Sequence, residues 1–472
     1  MNLNQTLQEK YPHLEISVLK LSEVQKDNES KRIDSEFFKK EYFDAMETMQ
    51  LNQVEYLGDN MKFNSRYSQP KYDETSKIKV INSQYIRNEY IDYENAKSGY
   101  GKIVPKESVL INATGVGTLG RVFINILDFD FSIDSHINVI VVKNKTYLNP
   151  YFLAIFLQSY YGQIQIIRYY SGTSGQIEIY PRDFNYFKIP IFPMEFQLEI
   201  QNLVKDSHKA LEESKELYKK AEETLYLELG LDPKNPLQSL LDSKIDHSIK
   251  SLNISIRTLK ESFLKTGRLD SEYYQSKYED IEKFIKSYPN GYDSFSSIIN
   301  NKDTNFTPKN NENYSYIELA NIGNNGNISE PISDLGKNLP TRARRIVSKG
   351  DVIISSIEGS LSSCALITQE FDKHLVSTGF FVLNSKLLNG ETLLVMFKSQ
   401  IFQEYLKKFP SGTILCAINK EELSKILIPK IDSTTQEKIA KYIQESFNLR
   451  KKSKQLLDNA KIKVEEQIQG KI

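Results

Sequence analysis

Residues 104–114 read VPKESVLINAT and residues 347–357 read VSKGDVIISSI, so one strand-like segment occurs twice, about 240 residues apart. In each segment an apolar run is bounded by polar residues, which is the pattern of a buried β-strand. A repeat of this length is too long for a solenoid unit and predicts a duplicated domain. The fold of the chain therefore depends on the fold of one copy.

Four further motifs return in the same order at nearly the same spacing, which makes chance similarity a poor explanation. They are RIDSEFF from Arg32 and RLDSEYY from Arg268, Ser171-Gly172-Thr173 and Ser411-Gly412-Thr413, Ile189-Pro190 and Ile428-Pro429, and Gln197-x-x-Ile200 and Gln436-x-x-Ile439. Each copy is therefore expected to be a whole domain with an appendage.

The composition of each copy changes once, at about Pro193 and again at about Pro429. Before the change, short apolar runs broken by Gly and Asn predict β-strands, and Tyr151–Tyr161 and Thr392–Lys408 are predicted to be short helices packed on a sheet. The strands predicted in the first copy are Lys77–Asn82, Val109–Asn112, Val122–Ile126 and Ile137–Lys143. Each copy is predicted to be an α+β domain.

After the change, Glu195–Leu229 and Thr434–Gln469 lack Gly and Pro and are rich in Glu, Lys, Leu and Ala, which predicts two long helices. Both have a heptad seam with small serine and alanine residues at matching positions, so we expect a coiled coil. Two unrelated, solvated helices are the alternative. The apolar seam residues are Ile200, Val204, Leu211, Tyr218 and Leu225 in the first helix, and Ile439, Ile443, Leu457 and Val464 in the second.

These changes predict five segments along the chain. They are a first β-rich domain at 1–193, a first helix at 194–230, a linker at 231–247, a second β-rich domain at 248–430 and a second helix at 431–472.

The charge balance excludes an argument from global charge, because Lys+Arg and Asp+Glu both number 61. No apolar run approaches the roughly 18 residues of a membrane span, and the start of the chain has no apolar signal region, so we expect a cytoplasmic protein without a membrane partner. The two cysteines and five separated histidines predict neither a disulfide framework nor a metal centre.

Gly115–Gly120 spells GVGTLG, the spacing of a dinucleotide-binding loop, but the following RVFINI predicts a strand where such a site needs a helix. A glycine-rich turn is the preferred interpretation, and an enzyme that binds a nucleotide there is an alternative. We expect no catalytic, cofactor-binding or metal-binding residues in this chain.

Arg342, Arg344 and Arg345 place three guanidinium groups within five residues, and arginine suits both phosphate and the edge of guanine. A solvated surface loop is the alternative. The Ser-Gly-Thr segments and their flanks combine cations, hydroxyls and flexible glycine, which predicts contacts to a nucleic-acid backbone. Their candidate residues are Arg168, Tyr170, Ser171, Thr173, Lys407, Lys408, Ser411 and Thr413. Arg66, Lys71 and Lys77 form a looser basic patch, for which ordinary surface side chains are an equal alternative.

The ordered pairs of motifs resemble the DNA-specificity subunits of Type I restriction–modification systems. The resemblance covers nearly the whole chain, although the first helix entry has the extra Pro193 that the second lacks. It implies two target recognition domains, each followed by a helix, with the helices packed as an antiparallel coiled coil. It also implies that each domain reads one half of an asymmetric DNA target.

The resemblance further implies a non-catalytic chain that acts with two modification subunits and with restriction subunits. S-adenosylmethionine, ATP and Mg would then belong to those partners. A tandem-repeat adaptor that binds protein or RNA is the alternative function.

Overall fold

The computed structural model describes residues 3–26, 28, 31–172, 175–242, 256–412 and 415–471. The chain forms two compact units, one of Met1–Glu212 with Arg450–Ile472 and the other of Glu213–Leu449. Each unit holds one copy of the repeat together with part of each long helix. The predicted 231–247 linker begins among described residues, and the part of it at 243–247 lies outside them.

The first copy is built around an antiparallel four-stranded sheet. Its strands, in spatial order, are Met61–Arg66, Ile137–Val142, Val109–Asn112 and Val122–Ile124. Val109 and Ile111 point into one apolar cluster with the helices, whereas Leu110 points into another cluster with a second, smaller sheet. Both faces of this sheet are covered, so side chains that point to either face are apolar. This explains why the strand is a continuous apolar run in the sequence and not an alternating one.

The second copy repeats this large sheet. Its strands are Ile299–Asn301, Phe380–Ser385, Val352–Ser355 and Cys364–Leu366, again in spatial order. Val109 pairs with Ile140 in the first copy, and Val352 pairs with Leu383 in the second, so the equivalent strands share one register.

The small sheets differ at their edges. Both contain a parallel pair, which is Lys79–Ile81 with Phe131–Ile133 in the first copy and Asn313–Ile317 with Leu375–Ser377 in the second. Antiparallel strands Lys97–Tyr100 and Ile332–Leu335 flank those pairs. The fourth strand lies at opposite edges, as Lys71–Tyr72 beside Lys97–Tyr100 and as Ala343–Ile346 beside Leu375–Ser377.

The short helices confirm the α+β prediction but not the predicted helix bounds. Each predicted helix corresponds to a broken pair, and the pairs are Pro150–Gln158 with Tyr160–Tyr169 and Gly390–Lys398 with Gln400–Leu406. The break falls at Ser159 and at Ser399, whose backbones are extended at ψ values of 166° and 148°. The serine ends one helix and precedes the next, so the chain changes direction without Gly or Pro.

The repeated Gln-x-x-Ile motif anchors the long helices to the sheets. Gln197 is fully buried, accepts a 2.7 Å hydrogen bond from the backbone N–H of Asn149 and donates to the carbonyl of Phe192 at 2.8 Å. Gln436 likewise accepts from the N–H of Asn389 at 2.9 Å. The Ile-Pro motifs end the strands Lys188–Pro190 and Leu427–Pro429, which pair with Val54–Tyr56 and Tyr292–Ser294 respectively.

The long helices span Met194–Glu228 and Ser433–Ile468. Each of the nine apolar seam residues is at most 8% exposed. In the first unit Lys463 forms a 2.8 Å ion pair with Glu199, while Ser453 accepts a 2.9 Å hydrogen bond from Ser207, so the helices run antiparallel there. The predicted fold of two β-rich domains with an antiparallel helix pair is confirmed.

The remaining elements are short. The helices are Leu3–Lys10, Leu21–Gln25, Lys40–Met49, Leu57–Asn60, Pro236–Asp242, Phe263–Thr266, Ser276–Lys286, Phe295–Ile298 and Lys420–Lys425. The 3-10 helices are Ser83–Tyr85, Pro181–Tyr186, Leu319–Asn321, Glu358–Ser360 and Gln369–Phe371. Within the described ranges, no helix combines the length and the apolar composition that a membrane span requires.

Candidate nucleic-acid interface

The Arg-x-Asp-Ser motif of the first copy holds the chain that leads into the Ser-Gly-Thr turn. The Nε and Nη2 atoms of Arg32 each donate to Asp34 at 2.7 Å. Its Nη1 donates to the backbone carbonyls of Arg168 at 3.2 Å and Tyr170 at 2.8 Å. The hydrogen bond from Arg32 lowers the pKa of Asp34 from its usual value. The guanidinium of Arg32 therefore connects Asp34 to the segment directly before Ser171.

The second copy contains the same arrangement. Arg268 donates to Asp270 through Nε at 2.6 Å and Nη2 at 3.0 Å. It also donates to the carbonyls of Phe409 at 3.2 Å and Pro410 at 2.8 Å, which directly precede Ser411. Burial alone would raise the pKa of Asp270, but the hydrogen bonds from Arg268 and from the backbone lower it overall.

Arg168 lies in the core, unlike the exposed cation that the sequence suggested. It is 4% exposed, with its guanidinium carbon 3.8 Å from the ring centre of Tyr42 and 4.1 Å from that of Phe37. Among the described residues its Nε and Nη1 atoms have no hydrogen-bond partner. Since aromatic rings cover this side chain, we exclude Arg168 from the direct contact surface.

Lys408, the equivalent of Arg168 in the second copy, is also buried. It is 9% exposed, forms an ion pair with Glu282 and lies 4.9 Å from the ring centre of Tyr273. We exclude it from the contact surface for the same reason. Lys407 is exposed and pairs with Glu404 at 2.7 Å.

Each Ser-Gly-Thr segment begins a turn that is closed by an isolated antiparallel bridge. Ser171 exchanges two backbone hydrogen bonds with Glu178, both 2.8 Å, and Ser411 exchanges a similar pair with Ala417. Gly172 has φ of +117°, and a Cβ there would lie 2.1 Å from the carbonyl oxygen of Gln176, so only glycine fits. Ser171 is exposed and Ser411 is half-buried, and Tyr170 is half-buried against the core. Thr173 and Thr413 lie outside the described residues.

A second loop lies beside each turn. In the first copy the backbone N–H of Gly115 donates to the carbonyl of Ile177 at 3.0 Å, and in the second the N–H of Glu358 donates to the carbonyl of Cys416 at 3.0 Å. Gly115–Gly120 forms a turn that leads into the strand Val122–Ile124. A dinucleotide site would require a helix at that point, so the glycine-rich turn is the correct interpretation.

Two cations and a tyrosine meet beside the first turn. Arg66 pairs with Glu178, donates to the carbonyl of Ile179 and lies 5.7 Å from the ring centre of Tyr180. Arg182 lies 5.3 Å from the same ring on an exposed surface. Sequence reasoning selected Arg66 but missed Tyr180 and Arg182. The available signal was Tyr180-Pro181-Arg182, an aromatic and a cation shortly after the turn.

His136 adds a polar group at the same place. Its Nδ1 atom lies 3.0 Å from Oγ1 of Thr114, and its carbonyl accepts a hydrogen bond from the N–H of Ala113. Lys71 and Lys77 are both exposed. Lys71 lies in an edge strand of the small sheet, where it pairs with Tyr100, and Lys77 lies in the loop after that strand.

The three arginines of the second copy have different surroundings. Arg342 is exposed, and no hydrogen bond or ion pair holds its guanidinium among the described residues. Arg344 donates to the carbonyl of Thr341 at 2.7 Å. Arg345 donates to the carbonyl of Phe380, and burial lowers the pKa of its guanidinium. Arg342 is therefore the arginine best placed to meet a ligand.

In the described part of the chain, no group of three or more His, Cys, Asp or Glu side chains is arranged to hold a metal ion.

One curated protein is similar to part of this chain. The curated Type I restriction enzyme HindI specificity subunit of Haemophilus influenzae is 29% identical over 129 residues, which are 26% of this chain and 28% of the relative. The chain thus matches little more than a quarter of that protein's length.

Two solved structures are similar over most of their length. The S subunit of a Type-I restriction-modification system from M. genitalium has 13% identity and a TM-score of 0.42, covering 87% of this chain and 95% of that one. The HsdS subunit from Thermoanaerobacter tengcongensis has 14% identity and a TM-score of 0.27, covering 89% and 97%.

A family model matches most of the first copy. Residues 44–223 match the family described as the Type I restriction modification DNA specificity domain. This range holds the first large sheet, the first turn and most of the first long helix. The predicted resemblance is confirmed, since this part of the chain is similar to the Type I restriction modification DNA specificity domain.

Proposed function

We propose that this chain is a DNA-specificity subunit that reads a bipartite, asymmetric duplex target. The observation that carries the proposal is the duplication of one domain whose first copy matches the model of a DNA-specificity domain family. The two large sheets share strand order and register, so a common framework supports two recognition surfaces.

The two surfaces carry different chemistry, which supports a target with unlike halves. The first has Arg66, Tyr180 and Arg182 beside its turn. The second has its fourth small-sheet strand, Ala343–Ile346, at the opposite edge, preceded by the exposed Arg342. Arginine and tyrosine suit phosphate contacts and base edges, so each surface favours its own sequence.

The long helices are proposed to set the gap between the two halves of the target. A helix of 36 residues is about 54 Å long. Recognition units that lie about one helical turn apart on DNA, roughly 34 Å, read the same face of the duplex.

We propose that partner subunits carry out the catalytic steps of methylation and restriction. Two modification subunits would methylate adenine with S-adenosylmethionine, and restriction subunits would use ATP and Mg. The chain would direct both activities by choosing the site, without catalysis of its own.

A selection experiment tests the proposal. The chain, purified with its methyltransferase subunits, is mixed with random-sequence duplex DNA, and the bound fraction is sequenced. Enrichment of two unlike blocks at a fixed gap supports the proposal. Absence of any enriched sequence contradicts it and favours a tandem-repeat adaptor for protein or RNA.

A further inference from the structure

The Arg-x-Asp-Ser motif is the most specific feature that the two copies share outside their cores. Arg32 and Arg268 are 22% and 12% exposed, so neither side chain has much surface to offer a ligand. Both nevertheless use several donors at once, on the aspartate two residues later and on two carbonyls of the segment that leads to Ser171 or Ser411. Such repetition requires a role that both domains need.

An aromatic ring strengthens each arrangement. Phe37 lies close to two cations, with the guanidinium carbons of Arg32 at 5.1 Å and Arg168 at 4.1 Å from its ring centre. Tyr273 likewise lies 4.7 Å from Arg268 and 4.9 Å from the Nζ atom of Lys408. Cation–π contacts gain strength where water is excluded, so these rings restrict the motion of the arginines.

The aspartates complete the arrangement. Oδ1 of Asp34 accepts from the N–H of Phe37 at 3.1 Å, and Oδ1 of Asp270 accepts from the N–H of Tyr273 at 3.1 Å. Each aspartate thus joins the arginine to the backbone of the aromatic residue that stacks on it. We call the set of arginine, aspartate and aromatic ring the clamp of that copy.

The clamps act on the segments that enter the turns. In the first copy the held carbonyls are those of Arg168 and Tyr170, and in the second those of Phe409 and Pro410. The next residue in both copies is the serine that starts the turn. Hydrogen bonds to a base edge or a phosphate tolerate only small displacements, so the entry segment must be fixed before DNA binds.

We infer that Arg32 and Arg268 are positioning residues for DNA recognition, each fixing the segment that leads to Ser171 or Ser411 in its own copy and hence governing one half of the target. The inference rests on the proposed function. Each clamp and the carbonyls it holds lie within one compact unit, so a change in one clamp leaves the other turn in place.

Lysine is the informative replacement because it keeps the positive charge but lacks the planar fork. An ammonium group has no geometry that pairs bidentately with the aspartate and also reaches two carbonyls. Arg32→Lys therefore loosens the entry to the first turn, and Arg268→Lys loosens the entry to the second. Each variant is the matched control of the other.

The test repeats the random-duplex selection with the full chain and its methyltransferase subunits. Arg32→Lys should lower base discrimination about tenfold in one block and leave the other within about twofold, and Arg268→Lys should do the reverse. Asp34→Asn should affect the same block as Arg32→Lys, and Asp270→Asn the same block as Arg268→Lys. These two variants allow the test to be made if an arginine variant fails to fold.

The outcomes distinguish the positioning role of the two arginines from the proposed function in DNA recognition. If both variants weaken both blocks equally, or if neither changes either block, the positioning role is wrong although wild-type selection still supports DNA recognition. If the wild-type chain enriches no sequence, the proposed function itself is contradicted.

Discussion

Ser207 and Ser453 place their hydroxyl oxygens 2.9 Å apart in the buried seam of the long helices. Ser446 in turn donates to the carbonyl of Ser214 at 2.7 Å. Ser207 and Ser446 are equivalent in the repeat, as are Ser214 and Ser453, so the same serine pair occurs twice. Small side chains permit a close approach of the helices, and their hydroxyl groups satisfy one another in an apolar setting.

The substitution Ser207→Leu should destabilise the chain. A larger side chain in this packed seam costs about 1–3 kcal/mol of unfolding free energy, and it separates Ser453 from its partner. Urea unfolding measures the change. Asn202→Leu, on an exposed face of the same helix, is the control and should alter stability by less than about 0.5 kcal/mol. Equal losses for both variants would show that the seam is not tightly packed.

Arg342 and Arg345 should respond differently to alanine. Arg342→Ala removes an exposed cation and should weaken DNA binding, reducing the salt slope by about 0.9, with unchanged thermal stability. Arg345→Ala removes the donor to the carbonyl of Phe380 and should lower stability by about 1–3 kcal/mol. Fluorescence anisotropy at several salt concentrations and thermal melting separate the effects. The assignment is wrong if Arg342→Ala binds the selected duplex with unchanged affinity.

Acid should weaken both clamps. The pKa values of Asp34 and Asp270 are lowered in the folded chain, so their contribution to stability is present above the ordinary value of 3.8 and is lost as the pH falls through the lowered values. Unfolding free energy measured between pH 5 and pH 2 should fall less steeply in the Asp34→Asn, Asp270→Asn double variant than in the wild type. Parallel curves would contradict these pKa shifts.

Lengthening both long helices should lengthen the gap in the target. One inserted heptad adds about 10.5 Å to a helix, which corresponds to roughly three base pairs of duplex. Selection with the lengthened chain reports the preferred gap, and a heptad in one helix alone serves as the control because it breaks the seam register. A preferred gap that does not change would remove the spacer role.

The features predicted best from sequence are those set by local periodicity. The strand at Val109, its repeat at Val352 and the helix seam all follow from apolar spacing, and the bounds of the long helices differ by one residue from prediction. The breaks at Ser159 and Ser399 were missed because serine is no strong helix breaker, and tertiary packing decides that the chain turns there.

The candidate site was harder to predict because burial depends on distant residues. Arg168 shortly precedes the polar, glycine-containing sequence Ser171–Gly175 and therefore suggests a surface cation. Phe37 and Tyr42 cover it only after the fold brings the start of the domain against this helix. Arg342, Arg344 and Arg345 are adjacent in sequence, yet pairing of the edge strand Ala343–Ile346 gives each a different environment.

Methylation mapping of the source genome, with and without the gene for this chain, tests the central claim most directly. The account predicts methylated adenines in one motif of two unlike blocks at a fixed gap, and complete loss of that motif when the gene is deleted. A methylation pattern that is identical in both strains would contradict it.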